Sequence, residues 1–259
     1  MSQVEGKALI SALDEAAPTR PTACAGWTAR DIVAHLAAGS QEMADLIEER
    51  LAGSPSRPTR AFEDREPPYR GLPDDELWRV WMRQIQRKRE AVGALADLGD
   101  ASTFEFTGAS MTAAQIVMHS RSEAAIHRWD VAGSDAVSDE LLSQPELTDH
   151  AVGVLNAMPI LNESSQRRAR HSDGIPLSIV LRAEGRPDVV LSGERDGARW
   201  ELAGEGSGLG DAVVHTDPAH RLLVLWGRRP IKRPLTIEAD DGTAPIVFSV
   251  LWPSCVPWC

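Results

Sequence analysis

Cysteine is scarce in this sequence. Cys24, Cys255 and Cys259 are the full complement, too few and too unevenly spaced for a disulfide framework. Cys255 and Cys259 form a Cys-x-x-x-Cys pair, but thioredoxin-like redox sites use Cys-x-x-Cys beside a βαβ pattern, and Pro257 disfavours a helix between them. Coincidence is the expected reading. Basic charge is in deficit, with a net charge of −11, which argues against a general binder of nucleic acid or of anionic membranes. No apolar run approaches the ~18 residues of a spanning helix. The opening MSQVEGKALI lacks the charged-then-apolar plan of a signal peptide, so a cytoplasmic protein without a membrane partner is expected. Internal repeats, low-complexity tracts and a phosphate-binding glycine loop are missing too. GEGSGLG at 204–210 is glycine-rich, yet it lies between two expected strands and lacks the helix that would take a pyrophosphate.

What is present points to two folded parts. Charged and hydrophobic fractions of 25% and 42% are ordinary for a globular chain, and 259 residues exceed one small bundle. Apolar positions at helical spacing predict helices over 3–16, from about Ala29 to Leu51, from a cap at Asp74 to about Leu95, and from Ser110 or Thr112 to Gly133. A shorter helix is expected over 145–159. Residues 57–73 hold several prolines and many charges and read as a solvated surface loop, from which Arg65, Tyr69 and Arg70 are within reach of a ligand. A Gly/Asp/Ser/Thr break covers 99–110. Beyond Pro159 the character changes to short alternating β-branched runs in PLSIVLRAEG, DVVLSG, ARWELAG and AVVHTD. A helix capped by Asp217 with Pro218 in its first turn follows, then a strand at 235–239 and a last turn or helix at 242–251. The expected organisation is a helical bundle over 1–164 and a small α+β domain over 165–259.

The chemistry concentrates in HSRSEAAIHRWD, residues 119–130. Residues four apart on a helix lie about 40° apart around the axis and about 6 Å along it, so His119, Glu123 and His127 form one ladder. Glu-x-x-x-His offers a carboxylate and an imidazole at a spacing that can chelate a divalent ion, and a third donor must come from elsewhere. WTARDIVAHL, residues 27–36, supplies one. Thr28 with Asp31 three residues on makes a short capping box, and His35 rides on the helix it opens. If the two helices lie side by side, His35, Glu123 and His127 converge as a His2Glu set with open positions. Asp130, three residues past His127, is read as too far round the helix to share its face, and free to orient a neighbouring arginine or indole.

WTARDIVAHL, a helical hairpin, then EAAIHRWD and an α+β tail together resemble the mycothiol-dependent maleylpyruvate isomerase family. The likeness covers nearly the whole chain: about residues 5–160 resemble its DinB-like four-helix metal-binding domain and about 175–252 its sterol-carrier-protein-like domain. The resemblance implies a divalent metal, commonly zinc, on His35, Glu123 and His127, with mycothiol as a thiol cosubstrate. It also implies a small-molecule substrate, in a monomer or small homo-oligomer. His119 lies outside the family triad and stands as a fourth ligand, a proton shuttle or a supporting partner. In WGRRPIKRP, residues 226–234, Arg228 matches an arginine that relatives use toward an anionic substrate; basic residues ending a helix also complement its dipole. A metal depresses the pKa of a bound thiol, which suits isomerisation or S-transfer. The same donor set would suit a hydrolase or lyase using metal-bound water, or a small-ligand-binding protein with a structural metal.

Overall fold

A computed structural model describes residues 4–158, 177–194, 197–229 and 235–251. The Cys255/Cys259 pair, Lys232, Arg233 and the 164/165 boundary lie outside the described residues. The chain forms two compact units that divide between Gly133 and Ser134.

The first unit is built on four long helices, α1 (Val4–Glu15), α2 (Ala29–Leu51), α5 (Asp74–Asp97) and α6 (Ala113–Ala132). α2 packs on α5, and α6 packs on both α1 and α5. The capping box expected before α2 is present: the Thr28 side chain accepts the Asp31 N–H, and Asp31 accepts the Thr28 N–H at 2.9 Å. Thr112 and Gln115 make the equivalent box before α6, and Gly133 ends that helix at φ +81°, its N–H bonded to the Trp129 carbonyl. Small residues let α2 approach its neighbours closely, with Ala34, Ala37 and Ala44 fully buried beside Ile32 and Ile47. α5 begins one residue earlier than a cap at Asp74 requires. Extended Pro73 is the N-cap, and Asp74, already helical, takes the Arg30 Nε at 2.6 Å.

Two connections differ from expectation. The segment read as a solvated loop contains two single-turn helices, α3 (Phe62–Arg65) and α4 (Pro67–Arg70), and buries Arg65, Glu66 and Tyr69. Tyr69 hydroxyl donates to Gln41 on α2, which ties the segment down. The polar break before α6 holds an antiparallel hairpin, β1 (Thr103–Phe106) and β2 (Ala109–Thr112). Phe104, Phe106, Ala109 and Met111 are its buried positions. Thr107 and Gly108 turn it with φ of +49° and +80°, the left-handed pair that matches strand twist.

The second unit starts with α7 (Ala136–Leu142) and α8 (Pro145–Ala157) and continues into a sheet of β3 (Ser178–Ala183), β4 (Asp188–Glu194), β5 (Gly197–Ala203), β6 (Ala212–Thr216) and β7 (Thr236–Ala239). The strand order is β5-β4-β3-β6-β7, with β3 and β6 parallel and the other pairs antiparallel. α9 (Pro218–Leu225) and α10 (Ala244–Leu251) complete it. Asp217 caps α9 by accepting the His220 N–H at 2.8 Å. The helix closes in a Schellman motif, with Gly227 at φ +72° and the Gly227 and Arg228 N–H groups bonded to the carbonyls of Val224 and Leu223.

The division at Gly133 falls earlier than the change in composition. α7 and α8 pack on α9, and α8 also packs on β5. There the Asn156 amide both donates to the Trp200 carbonyl and accepts its N–H, at 2.8 and 3.0 Å, covering the outer edge of the sheet. GEGSGLG is a packing device. The Gly208 N–H donates to buried Asp188 at 2.9 Å, and a Cβ on Gly210 would stand 2.8 Å from the Ser178 carbonyl oxygen. No helix among the described residues is long and apolar enough to cross a membrane.

Candidate metal centre

α2 and α6 bring His35, Glu123 and His127 together, one donor atom of each lying within 4.8 Å of the others. Glu123 Oε2 is 3.8 Å from His35 Nε2 and 3.5 Å from His127 Nε2. The opposite nitrogen of each ring is already committed. His35 Nδ1 contacts Glu66 Oε1 at 2.7 Å, and His127 Nδ1 contacts Asp130 Oδ2 at 2.9 Å. An ionised carboxylate only accepts, so each Nδ1 donates, and each Nε2 is left directed at Glu123, where a metal would displace its proton. Asp130 is fixed in turn by the Cys24 thiol, which donates to the same oxygen at 3.3 Å.

This donor set fits a divalent cation. Imidazoles held through Nδ1 by carboxylates are the arrangement that orients metal-binding histidines, and the anionic surroundings favour positive charge between them. Burial works against ionising Glu123, but hydrogen bonding to His127 and His35 outweighs it and holds the carboxyl well below its usual range. Burial likewise lowers His127, while Asp130 and Glu123 together raise it to about 9. Glu66 is depressed despite its burial, by His35 and then by Arg70. Trp27 and Phe62 flank His35, with ring centroids 5.3 and 5.4 Å away.

His119 and Arg228 stand apart from this convergence. His119 is buried one turn before Glu123, its ring edge on Phe106 at 5.9 Å, and burial lowers its pKa. Arg228 belongs to the second unit, is 7% exposed, and donates from Nη1 to the Trp226 carbonyl at 3.2 Å.

The sequence model described as the mycothiol maleylpyruvate isomerase N-terminal domain matches residues 3–132. The chain belongs to that family. No curated protein sequence matches it. Similar solved structures include the mycothiol-dependent maleylpyruvate isomerase and a histidine-to-alanine mutant of it. Each is 16% identical, with 90% of this chain aligned to 89% of the other and TM-scores of 0.58 and 0.59. They share the fold, a helical domain followed by a small sheet-containing one.

In this member of the mycothiol maleylpyruvate isomerase family, sequence reading missed Glu66, Asp130 and Cys24. Asp130 was expected to miss His127. Yet residues three apart are neighbours on a helix surface, and the 2.9 Å contact follows. The spacing His-x-x-Asp was the available signal. Glu66 carried none, because it lies 31 residues from His35 in a segment whose helices are single turns.

Proposed function

We propose that this protein is a metal-dependent enzyme that uses a low-molecular-weight thiol, mycothiol, either to isomerise a small electrophile or to form a thioether with it as an S-transferase. The observation that carries the reading is the convergence of His35 Nε2, the Glu123 carboxylate and His127 Nε2, with both Nδ1 atoms held by carboxylates. Family membership supports it. His35, Glu123 and His127 would hold the metal, and zinc suits two imidazoles and a carboxylate. When bound, a divalent metal supplies Lewis acidity that favours thiolate over thiol.

The chain's own residues do the rest. Glu66 and Asp130 keep the two imidazoles in the tautomer and orientation that present Nε2, and Cys24 holds Asp130. Trp27 and Phe62 limit the freedom of the His35 ring. His119, one turn before Glu123, has its pKa lowered by burial and serves as a supporting neighbour of the centre. Arg228 is the residue that the resemblance implies for an anionic substrate. A cytoplasmic setting, where small thiols stay reduced, fits this chemistry.

The test is elemental analysis of the purified protein and of Glu123→Ala, with thermal-shift measurements with and without mycothiol. About one metal per chain, lost in the variant while helicity is kept because alanine favours helix, is the expected result, together with stabilisation by mycothiol in the wild type alone. Metal content unchanged in Glu123→Ala would defeat the ligand assignment. Metal without any thiol effect would favour metal-bound water as the nucleophile.

A further inference from the structure

The turn that leads into α2, PTACAGWT at residues 21–28, touches both histidines of the centre. Gly26, at φ +79°, lets the chain reverse, and Pro21 and Thr28 pair as an antiparallel bridge. Inside the turn the Thr22 N–H donates to the Trp27 carbonyl at 2.9 Å and the Trp27 N–H to the Cys24 carbonyl at 3.0 Å. The Thr22 hydroxyl donates to the Trp27 carbonyl as well, at 3.0 Å. The segment is therefore closed by its own hydrogen bonds.

Two successive residues of the turn grip one residue of α6. The Ala23 N–H donates to the Asp130 carbonyl at 2.8 Å, one of the last-turn carbonyls that a helix cannot answer by itself. Cys24, fully buried, donates from Sγ to Asp130 Oδ2 at 3.3 Å, and that same oxygen faces His127 Nδ1 at 2.9 Å. A thiol is a weak donor, but an ionised acceptor and burial both strengthen the bond. With its backbone and its carboxylate both held, Asp130 has one orientation to offer His127. At the other end of the turn, the Trp27 ring lies 5.3 Å from His35. Arg70 Cζ is 5.1 Å from the Trp27 ring and also donates to Glu66, the partner of His35 Nδ1, at 2.7 Å. Thr28 then caps α2, which carries His35 about two turns later.

We infer that Cys24 is a positioning residue of the metal centre, acting through Asp130 on His127, and that the 21–28 turn is one brace fixing both histidines, His127 through Cys24 and His35 through Trp27. The inference rests on the metal reading above and is independent of the thiol and the electrophile. It assigns the buried cysteine to metal affinity and not to redox chemistry or to metal ligation.

The probe is zinc, its affinity for the full-length protein measured by competition with a chromophoric chelator. Cys24→Ala should weaken zinc roughly tenfold, the lower end of what an outer partner of a ligand contributes. Cys24→Val, which nearly keeps the volume but lacks the donor, should lose as much, and Cys24→Ser, which still donates, should recover most of the loss. Asp130→Ala should cost roughly ten- to a hundredfold, and adding Cys24→Ala to it should cost nothing more, because the thiol acts only through that carboxylate. Trp27→Leu should weaken zinc too, and its effect should persist beside Asp130→Ala, since it reaches the centre through His35. Wild-type affinity in Cys24→Ala or Cys24→Val would make the thiol a packing group and overturn the proposal. So would a Cys24→Ala loss of the same size with and without Asp130. Wild-type affinity in Trp27→Leu would overturn the brace at His35. Zinc lost in Glu123→Ala but unaffected at Cys24 would sink this inference alone, whereas a wild type that binds no zinc would overturn the metal reading and this inference with it.

Discussion

Asp130 and Glu66 show how single residues divide the work in the first unit. Each occupies the Nδ1 of a histidine whose Nε2 faces Glu123, so each orients one imidazole. Asp188 in the second unit has a purely architectural version of the same task. Its carboxylate is fully buried. Burial alone would raise its pKa, but Arg182 at 2.9 Å and the Gly208 N–H at 2.9 Å more than reverse this and leave it below the ordinary value. A carboxyl lowered in the fold contributes stability at pH above its unfolded value of about 3.9, and the contribution fades as pH falls through the lower folded value. The stability gap between wild type and Asp188→Asn, measured by urea unfolding, should be full at about pH 5 and above and narrow on acidification below about pH 4. A gap independent of pH would mean that Asp188 acts by shape and not by charge.

At the scale of elements, glycine separates segments that must be tight from segments that need only be helical. Gly210 lies where a Cβ would meet the Ser178 carbonyl oxygen at 2.8 Å and a Val180 methyl at 3.0 Å, so the 204–210 stretch passes directly over β3. Gly93 on α5 would place a Cβ in open space. Gly210→Ala should therefore cost about 1–3 kcal/mol through overpacking, while Gly93→Ala should stabilise by about 0.5–1 kcal/mol through helix propensity. Denaturant midpoints of the two variants would check both signs, and a neutral Gly210→Ala would show that the loop can move away from β3. The caps belong to this scale as well. Thr28, Thr112 and Asp217 each answer an N–H three residues ahead, a relation confined to a few residues of sequence and therefore readable from it. The hairpin of β1 and β2 was missed for the converse reason: four-residue strands offer too short an alternation to stand out from a polar break.

At the scale of the molecule, the candidate donors all lie in the first unit and the five-stranded sheet lies in the second. Ligand binding stabilises the structure that holds the ligand, and amide exchange reads stability locally. Chelating the metal from the purified protein should speed hydrogen exchange in α2 and α6 and leave β3, β4 and β6 unchanged. Equal acceleration across both units would contradict a metal held by the first unit's residues alone. The expected boundary near residue 165 belongs to this scale too. Composition changes where the strands begin, whereas packing assigns α7 and α8 to the unit whose α9 and β5 they cover.

The sequence alone determined whatever depends on near neighbours along the chain. The 3.6-residue spacing put His119, Glu123 and His127 on one helix, the Thr-x-x-Asp pair marked where α2 begins, and β-branched alternation marked the strands of the second unit. Only the tertiary structure decided what meets across the chain: His35 facing Glu123 from a different helix, Glu66 brought onto His35 by two single-turn helices, and Cys24 reaching Asp130. The reason is physical. Helical periodicity and caps are fixed by hydrogen bonds a few residues long, while the partner of a buried charge is fixed by how whole elements pack, and no local pattern records that.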